Sequence, residues 1–286
     1  MHHPDTTPRR SLYFDYRVHP AAPPAQGDAA SAPVVVVGGG PIGLVLAIDL
    51  ARRGVRTVLL TAEQQLSEGS RAIVFTRRSM EILQQLGADR AVTAQGLPWR
   101  FGTSHYRGQP VFRLEAPQDV HDRFHPMINL QQPLLEQALL DLAQRQPRLE
   151  LRWGHKVTGV RSGADGATLE VDTPQGPYVQ HAGWVAACDG ARSALRQLQG
   201  LKLEGDSYEG RFVIADIRIE LPLPTERLAF FDPPWNPGNT VLMHRQPHDL
   251  WRIDYQLPSG ETPEQALQPD SLKARIDAQL ASIGFG

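Results

Sequence analysis

Gly38, Gly40 and Gly43 stand at the spacing G-x-G-x-x-G within "PVVVVGGGPIGLVLAIDLARRGVRTVLL", and that spacing has a chemical use. The first glycine allows a tight turn, the second lets the backbone approach a pyrophosphate, and the third lets a helix close on the preceding strand. Pro41 suits the first helical position, because the N–H it lacks would have no partner there, and Ile42 completes the turn. Free N–H groups and the dipole at the start of such a helix favour phosphate oxygens. The turn therefore reads as a dinucleotide cradle, with NAD and FAD both open at this point. One part departs from the pattern. The acid that usually closes the second strand and binds a ribose falls at Thr61, and Glu63, two residues on, is the candidate to replace it.

The elements that must hold these residues are legible around them. Val34 to Val37 run without polar alternation, as a strand does when both its faces are covered in a parallel sheet. A helix follows, expected to turn Ile42, Val45, Leu46 and Leu50 to the sheet. Gly54 ends it, and "VRTVLL" makes the second strand.

Three later stretches add candidates. In "EGSRAIVFTRRSMEILQQLG", Arg71 sits in a loop before a helix expected from about Thr76 to Leu86, where a guanidinium can fork onto a phosphate or ribityl oxygen. In "INLQQPLLEQAL", Gln132 opens a helix whose leucines, Leu135, Leu139, Leu140 and Leu142, recur at core spacing. In "WVAACDGARSALR", a strand delivers Asp189 and Gly190 into a turn that starts a helix near Arg192 and Ser193. Cys188 has no motif partner that would make it a nucleophile, and reads as a small buried hydrophobe.

Taken in order, the glycine turn and these three stretches resemble the single-component flavoprotein aromatic hydroxylases, the FAD-dependent monooxygenases of the para-hydroxybenzoate hydroxylase and phenol hydroxylase type. The resemblance runs from about Pro33 to the last residue. It implies that Gly38, Gly40, Pro41, Ile42, Gly43, Glu63, Arg71, Gln132, Asp189 and Gly190 bind FAD, held tightly, with NADH or NADPH binding only transiently. The implied reaction is hydroxylation of a phenolic or polyketide-like aromatic substrate by O2. It also implies that strands between Tyr208 and Leu257, read as four antiparallel strands, form a substrate sheet carrying His244, Arg245 and Asp254. Polar residues alternating outward on a half-exposed sheet are the plainer reading of those three. No catalytic residue is singled out. Members of the family continue into a Gly-Asp motif that nothing here matches, so the expectation is a truncated chain that hydroxylates poorly by itself. A non-catalytic FAD-binding protein and an NAD-dependent dehydrogenase are the rival readings.

The resulting organisation is α/β, with a Rossmann-like FAD-binding domain interleaved with a mainly antiparallel substrate sheet. Residues 1–32 read as an arm, 33–97 and 122–205 as the FAD-binding domain, 98–121 and 206–262 as the substrate sheet, and 263–286 as a helical segment. The stretch from Leu149 to Gly190 reads as a meander packed on the nucleotide domain.

Composition narrows the remaining classes. A chain of 286 residues with 41% hydrophobic and 21% charged residues is ordinary for a folded globular protein. A formal net charge of -2, without a basic cluster, argues against nucleic acid and anionic membranes as partners. The single cysteine points to a reducing compartment, by default the cytoplasm. His121 and His125 share helical spacing, but Pro117 and Pro126 flank them and no third ligand accompanies them, so no metal is expected. The partners expected are a small aromatic substrate and O2. A homodimer is allowed, but the sequence does not fix the oligomeric state.

Overall fold

The computed structural model describes residues 1–286 apart from 69–71, 207, 209 and 286. In chain order the first elements are β1 (Ser31–Val37), α1 (Pro41–Arg52), β2 (Thr57–Thr61), β3 (Val74–Thr76), α2 (Arg77–Leu86), α3 (Asp89–Gln95), β4 (Leu97–Trp99), β5 (Phe101–Tyr106), β6 (Gln109–Glu115) and β7 (Met127–Asn129). There follow α4 (Gln132–Ala143), β8 (Leu149–Trp153), β9 (Lys156–Gly163), β10 (Gly166–Asp172), β11 (Tyr178–Ala187) and α5 (Ala194–Leu198). The last are β12 (Phe212–Arg218), β13 (Arg227–Phe231), β14 (Thr240–Gln246), β15 (Leu250–Gln256), α6 (Pro263–Ala266) and α7 (Pro269–Ser282). The fold is mixed α/β. Two compact units divide the chain: Met1–Gly69 with Ile82–Val92 and Gln132–Gly205, and Ser70–Glu81 with Thr93–Gln131 and Asp206–Gly286.

The first unit is built on a six-stranded sheet in the order β8-β2-β1-β11-β10-β9. Strands β8, β2, β1 and β11 run parallel, so the valine-rich β1 has a hydrogen-bonded neighbour on each side, with Val37 opposite Leu60 in β2 and Ala187 in β11. Val35, Val37, Val58 and Leu60 pack there with Leu169 and Val171. The expected meander is corrected in one respect. Strands β9, β10 and β11 do zigzag antiparallel, but they continue the nucleotide sheet through β11 instead of packing on it. β1 is covered on both faces, and its second edge must find backbone partners, which β11 supplies.

Helix α1 buries Gly43, Leu44, Ala47, Ile48 and Ala51, while Ile42 is 72% exposed. The expected face of Ile42, Val45, Leu46 and Leu50 is therefore displaced by about one residue. A Cβ on Gly43 would overlap the carbonyl oxygen of Gly38, and this contact at the start of the helix sets its rotation.

Before β1 the chain runs along the first unit. Tyr16 packs with Leu66, Leu140 and Trp153, and His19 stacks on Trp153 with ring centroids 4.2 Å apart. The buried Arg152 donates to Gln180 Oε1 at 2.7 Å and to Ala29 O at 2.8 Å.

The second unit contains a six-stranded sheet in the order β12-β15-β14-β13-β5-β6, and a small sheet in the order β3-β7-β4. The four strands β12 to β15 are antiparallel, as expected, but the sheet also takes in β5 and β6, and β13 pairs with β5 in parallel. On one face Val241, Met243, Trp251, Ile253, Tyr255 and Phe230 form the core.

Candidate cofactor site

Parallel pairing brings the carboxyl ends of β1, β2 and β11 to one edge of the first unit's sheet, and the candidate residues leave from those ends. β1 is central among them, with α1 and β2 on one side in sequence and β11, some 150 residues further on, on the other. Strand order that splits in this way is where ligands sit in open α/β sheets. Two hydrogen bonds fix the turn as the chain leaves the strand: Gly38 N donates to Leu60 O, and Cys188 N donates to Val37 O, each at 2.8 Å.

The glycines of the turn differ in what requires them. Gly38 has φ +112°, and a Cβ there would overlap the Cys188 carbonyl. Gly39 lies against the end of β2, where a Cβ would come within 2.8 Å of Thr61 Cβ. Gly40 has an ordinary φ of -76°, and a Cβ on it would meet nothing within 4 Å. Neither packing nor backbone conformation needs a glycine at 40, so the space in front of it is open to a ligand. Gly40 is also the N-cap of α1, no side chain caps that end, and Pro41 occupies the first turn. Backbone N–H groups of the turn are left for an anion. These residues fit a dinucleotide's pyrophosphate.

Thr61 is buried, and its carbonyl accepts from His155 N at 2.8 Å. The Glu63 side chain, half exposed, pairs instead with Arg9 Nη2 at 2.8 Å. Arg9 has no counterpart in the sequence reading, because the arm that carries it shows neither periodicity nor motif.

Asp189 uses both carboxylate oxygens on its own turn, accepting from Ser193 Oγ at 2.6 Å and from Leu195 N at 3.0 Å. Ser193 in turn caps α5 by accepting from Arg196 N at 3.0 Å. Asp189 thereby holds Gly190, whose φ is +79° and whose missing Cβ faces open space. Cys188 is half-buried, not buried, and both burial and the neighbouring Asp189 carboxylate push its thiol up, away from nucleophilic character.

Gln132 Nε2 donates to Glu136 Oε1 at 2.7 Å, and the fully buried Glu136 also accepts from Ser67 N at 2.8 Å. In the sequence Glu136 serves, with Leu135, only to mark Gln132 as the motif position; its own burial has no local signal, since an acid inside a leucine-rich helix looks the same whether it faces solvent or core. Arg71 lies outside the described residues.

His244, Arg245 and Asp254 belong to the second unit and do not act together. His244 pairs with Arg252 across β14 and β15, and Leu242 pairs with Asp254. His244 and Asp254 therefore share the face opposite the core, and Arg245 points the other way, donating to Leu223 O at 3.1 Å. His244 is buried instead of facing outward. Burial, reinforced by Arg227 and Arg252, pushes it down to about 4. Burial pushes Asp254 up to about 6, with Asp216 adding to the rise and Arg252 and Arg227 opposing it. Asp254 Oδ1 and His244 Nδ1 have no hydrogen-bond partner among the described residues. Among those residues no cluster of three or more His, Cys, Asp or Glu could hold a metal ion, and no helix is long and apolar enough to cross a membrane.

Residues 31–282 match the FAD binding domain family. The chain belongs to that family. A 3-(3-hydroxy-phenyl)propionate/3-hydroxycinnamic acid hydroxylase of Mycolicibacterium smegmatis is 30% identical over 237 residues, covering 83% of this chain and 42% of that protein. A para-nitrophenol 4-monooxygenase of Pseudomonas sp. (strain WBC-3) is 31% identical over 231 residues, covering 78% of this chain and 55% of that protein. The crystal structure of a p-nitrophenol 4-monooxygenase from Pseudomonas putida DLL-E4 shares the fold, with a TM-score of 0.72 and 23% identity over 88% of this chain and 63% of that one. The chain thus spans about half the length of the curated relatives it matches. The match gives FAD as the cofactor and sets aside the NAD-dependent dehydrogenase reading.

Proposed function

We propose that the protein works as an FAD-dependent monooxygenase that hydroxylates an aromatic, phenol-like substrate, using NADH or NADPH as reductant and O2 as oxidant, in the cytoplasm. The observation that carries this reading is the open space at Gly40 in a chain of the FAD binding domain family, whose relatives include named hydroxylases of phenolic compounds. When bound, FAD supplies the redox chemistry, accepting a hydride from the nicotinamide and passing electrons to O2.

The chain's own residues do the binding and orienting. Backbone N–H groups at Gly40 to Gly43 receive the pyrophosphate, with Pro41 fixing the first turn of α1. Glu63 receives a hydroxyl of the adenosine ribose. Gly190, shaped by Asp189, lets the backbone come close to the cofactor, while Gln132 reaches its flavin side. In the second unit His244 and Asp254 share one face and hold unpartnered polar atoms. At neutral pH the imidazole is uncharged and Asp254 is largely ionised, so this face takes a phenolic hydroxyl, with the carboxylate accepting its proton in a hydrogen bond.

The test is to incubate purified protein with FAD, remove the excess, and look for the yellow absorbance of bound flavin. NADH and NADPH oxidation and hydroxylated product are then followed over a panel of phenols. Protein that stays colourless overturns the reading. Protein that turns yellow but oxidises neither NADH nor NADPH with any phenol overturns the hydroxylase assignment and leaves FAD binding alone.

A further inference from the structure

The arm that precedes the family match is anchored on a particular part of the first unit. His2 Nε2 hydrogen-bonds Ala62 O at 2.8 Å, Gln65 Nε2 donates to Thr7 O at 2.9 Å, and Tyr16 Oη donates to Ser67 O at 2.8 Å. All three contacts fall on the segment that leaves the carboxyl end of β2. In a sheet of this type the adenosine ribose is met at that end of the second strand, and Gly39 of the pyrophosphate turn touches its last residue, Thr61.

Arg9 is the centre of this anchoring. Its Nη1 donates to Leu66 O at 2.6 Å, its Nη2 pairs with Glu63 Oε2 at 2.8 Å, and its Nε lies 3.5 Å from Glu68 Oε2. The Arg9 side chain is 13% exposed and that of Glu63 is 50% exposed. The cation is therefore the fixed member, and the carboxylate it holds is open to solvent. A pair with one exposed member contributes little to stability. Its geometry matters more: a rigid planar fork fixes the direction of a carboxylate.

We propose that Arg9 is a positioning residue for the cofactor site, and that the N-terminal arm holds Glu63 at the adenosine ribose in place of the acid missing at Thr61. This rests on the reading that the glycine turn binds FAD. The ribose of the bound dinucleotide then meets a carboxylate supplied from the loop after β2 and aimed by a residue more than fifty positions earlier in the chain.

The experiment measures FAD dissociation constants by quenching of flavin fluorescence, for the full chain and for Arg9→Ala, Arg9→Lys and Glu63→Gln. An FAD analogue lacking the 2′-hydroxyl of the adenosine ribose is titrated in parallel. Arg9→Ala and Glu63→Gln are each expected to weaken FAD about tenfold, the size of one hydrogen bond to a charged group. The double variant should lose no more than either single one, and Arg9→Lys should recover little of the affinity, because an ammonium keeps the charge but lacks the fork that aims the carboxylate. The analogue should bind wild type about tenfold more weakly than FAD does, and bind the variants no more weakly than FAD does. A purely structural arm would weaken FAD and the analogue alike, and that result overturns the proposal. So does unchanged FAD affinity in Glu63→Gln, which leaves the arm itself intact. Gly40→Val serves as the control for the site: if it binds FAD like wild type, the reading of the glycine turn fails independently of Arg9.

Discussion

Gly43 is pressed against Gly38, whereas Gly40 faces open space, so substitutions in one turn should separate folding from binding. Gly43→Ala forces a methyl group onto a backbone carbonyl that cannot move without disturbing β1. A loss of about 1–3 kcal/mol in stability is expected, seen as a lowered midpoint in urea. Gly40→Val should cost at most about 1 kcal/mol, from loss of a favourable N-cap residue, and abolish FAD binding, because its methyl groups fill the space in which backbone and pyrophosphate meet. Equal destabilisation by both variants would contradict this division. Asp254 gives a residue-scale prediction in pH. Its folded-state value is raised from 3.8 to about 6, so its stabilising contribution is complete below pH 3.8 and is lost as pH rises through 6. Asp254→Asn removes the buried charge. The variant should be more stable than wild type at pH 7.5, by about 1–2 kcal/mol once partial exposure is allowed for, and the gain should vanish near pH 4. Thermal melts at the two pH values measure it.

At the scale of elements, Glu136 joins α4 to the loop after β2 by accepting from Ser67 N, and Gln132 completes its shell. Glu136→Ala leaves the Ser67 N–H without its acceptor in a buried setting, and a loss of about 1–3 kcal/mol is expected. Local opening of residues 61–68, followed by hydrogen exchange, should increase before the rest of the sheet is affected. How far such elements can be read from sequence depends on the range of the interaction. The β1–α1–β2 unit is legible because its signals are local: an unbroken valine run, glycines at fixed spacing, a proline at the first turn. The rotation of α1 is not, since it is set by the contact of Gly43 with Gly38 and shifts the buried face by one residue. Nor is the pairing of β1 with β11, which joins residues about 150 positions apart, or the second sheet's parallel join of β13 to β5. Candidate residues follow the same rule. Asp189 stands out by its neighbour Gly190, but that its oxygens cap its own turn depends on where α5 begins. Arg9 carries no local signal, because an arm without periodicity looks the same whether it is free or anchored.

For the molecule as a whole, these arrangements converge on a linkage between cofactor and stability. The turn, the loop from Thr61 to Leu66, the Asp189–Gly190 turn and the arm all lie in the first unit and share the edge from which β1, β2 and β11 leave. A ligand that binds only the folded arrangement of that edge stabilises it by about 2.7 kcal/mol at one hundred times its dissociation constant. FAD should therefore raise the unfolding temperature in a concentration-dependent way, by several degrees in a chain of this size. The rise should be absent in Gly40→Val, reduced in Arg9→Ala and Glu63→Gln, and unaffected in Asp254→Asn, which changes only the second unit's sheet. Riboflavin has neither pyrophosphate nor adenosine, and should give a much smaller shift than FAD at equal concentration. If riboflavin stabilised the protein as strongly as FAD, the binding free energy would come from the flavin ring alone. The glycine turn and the arm would then not be the parts of the molecule that hold the cofactor.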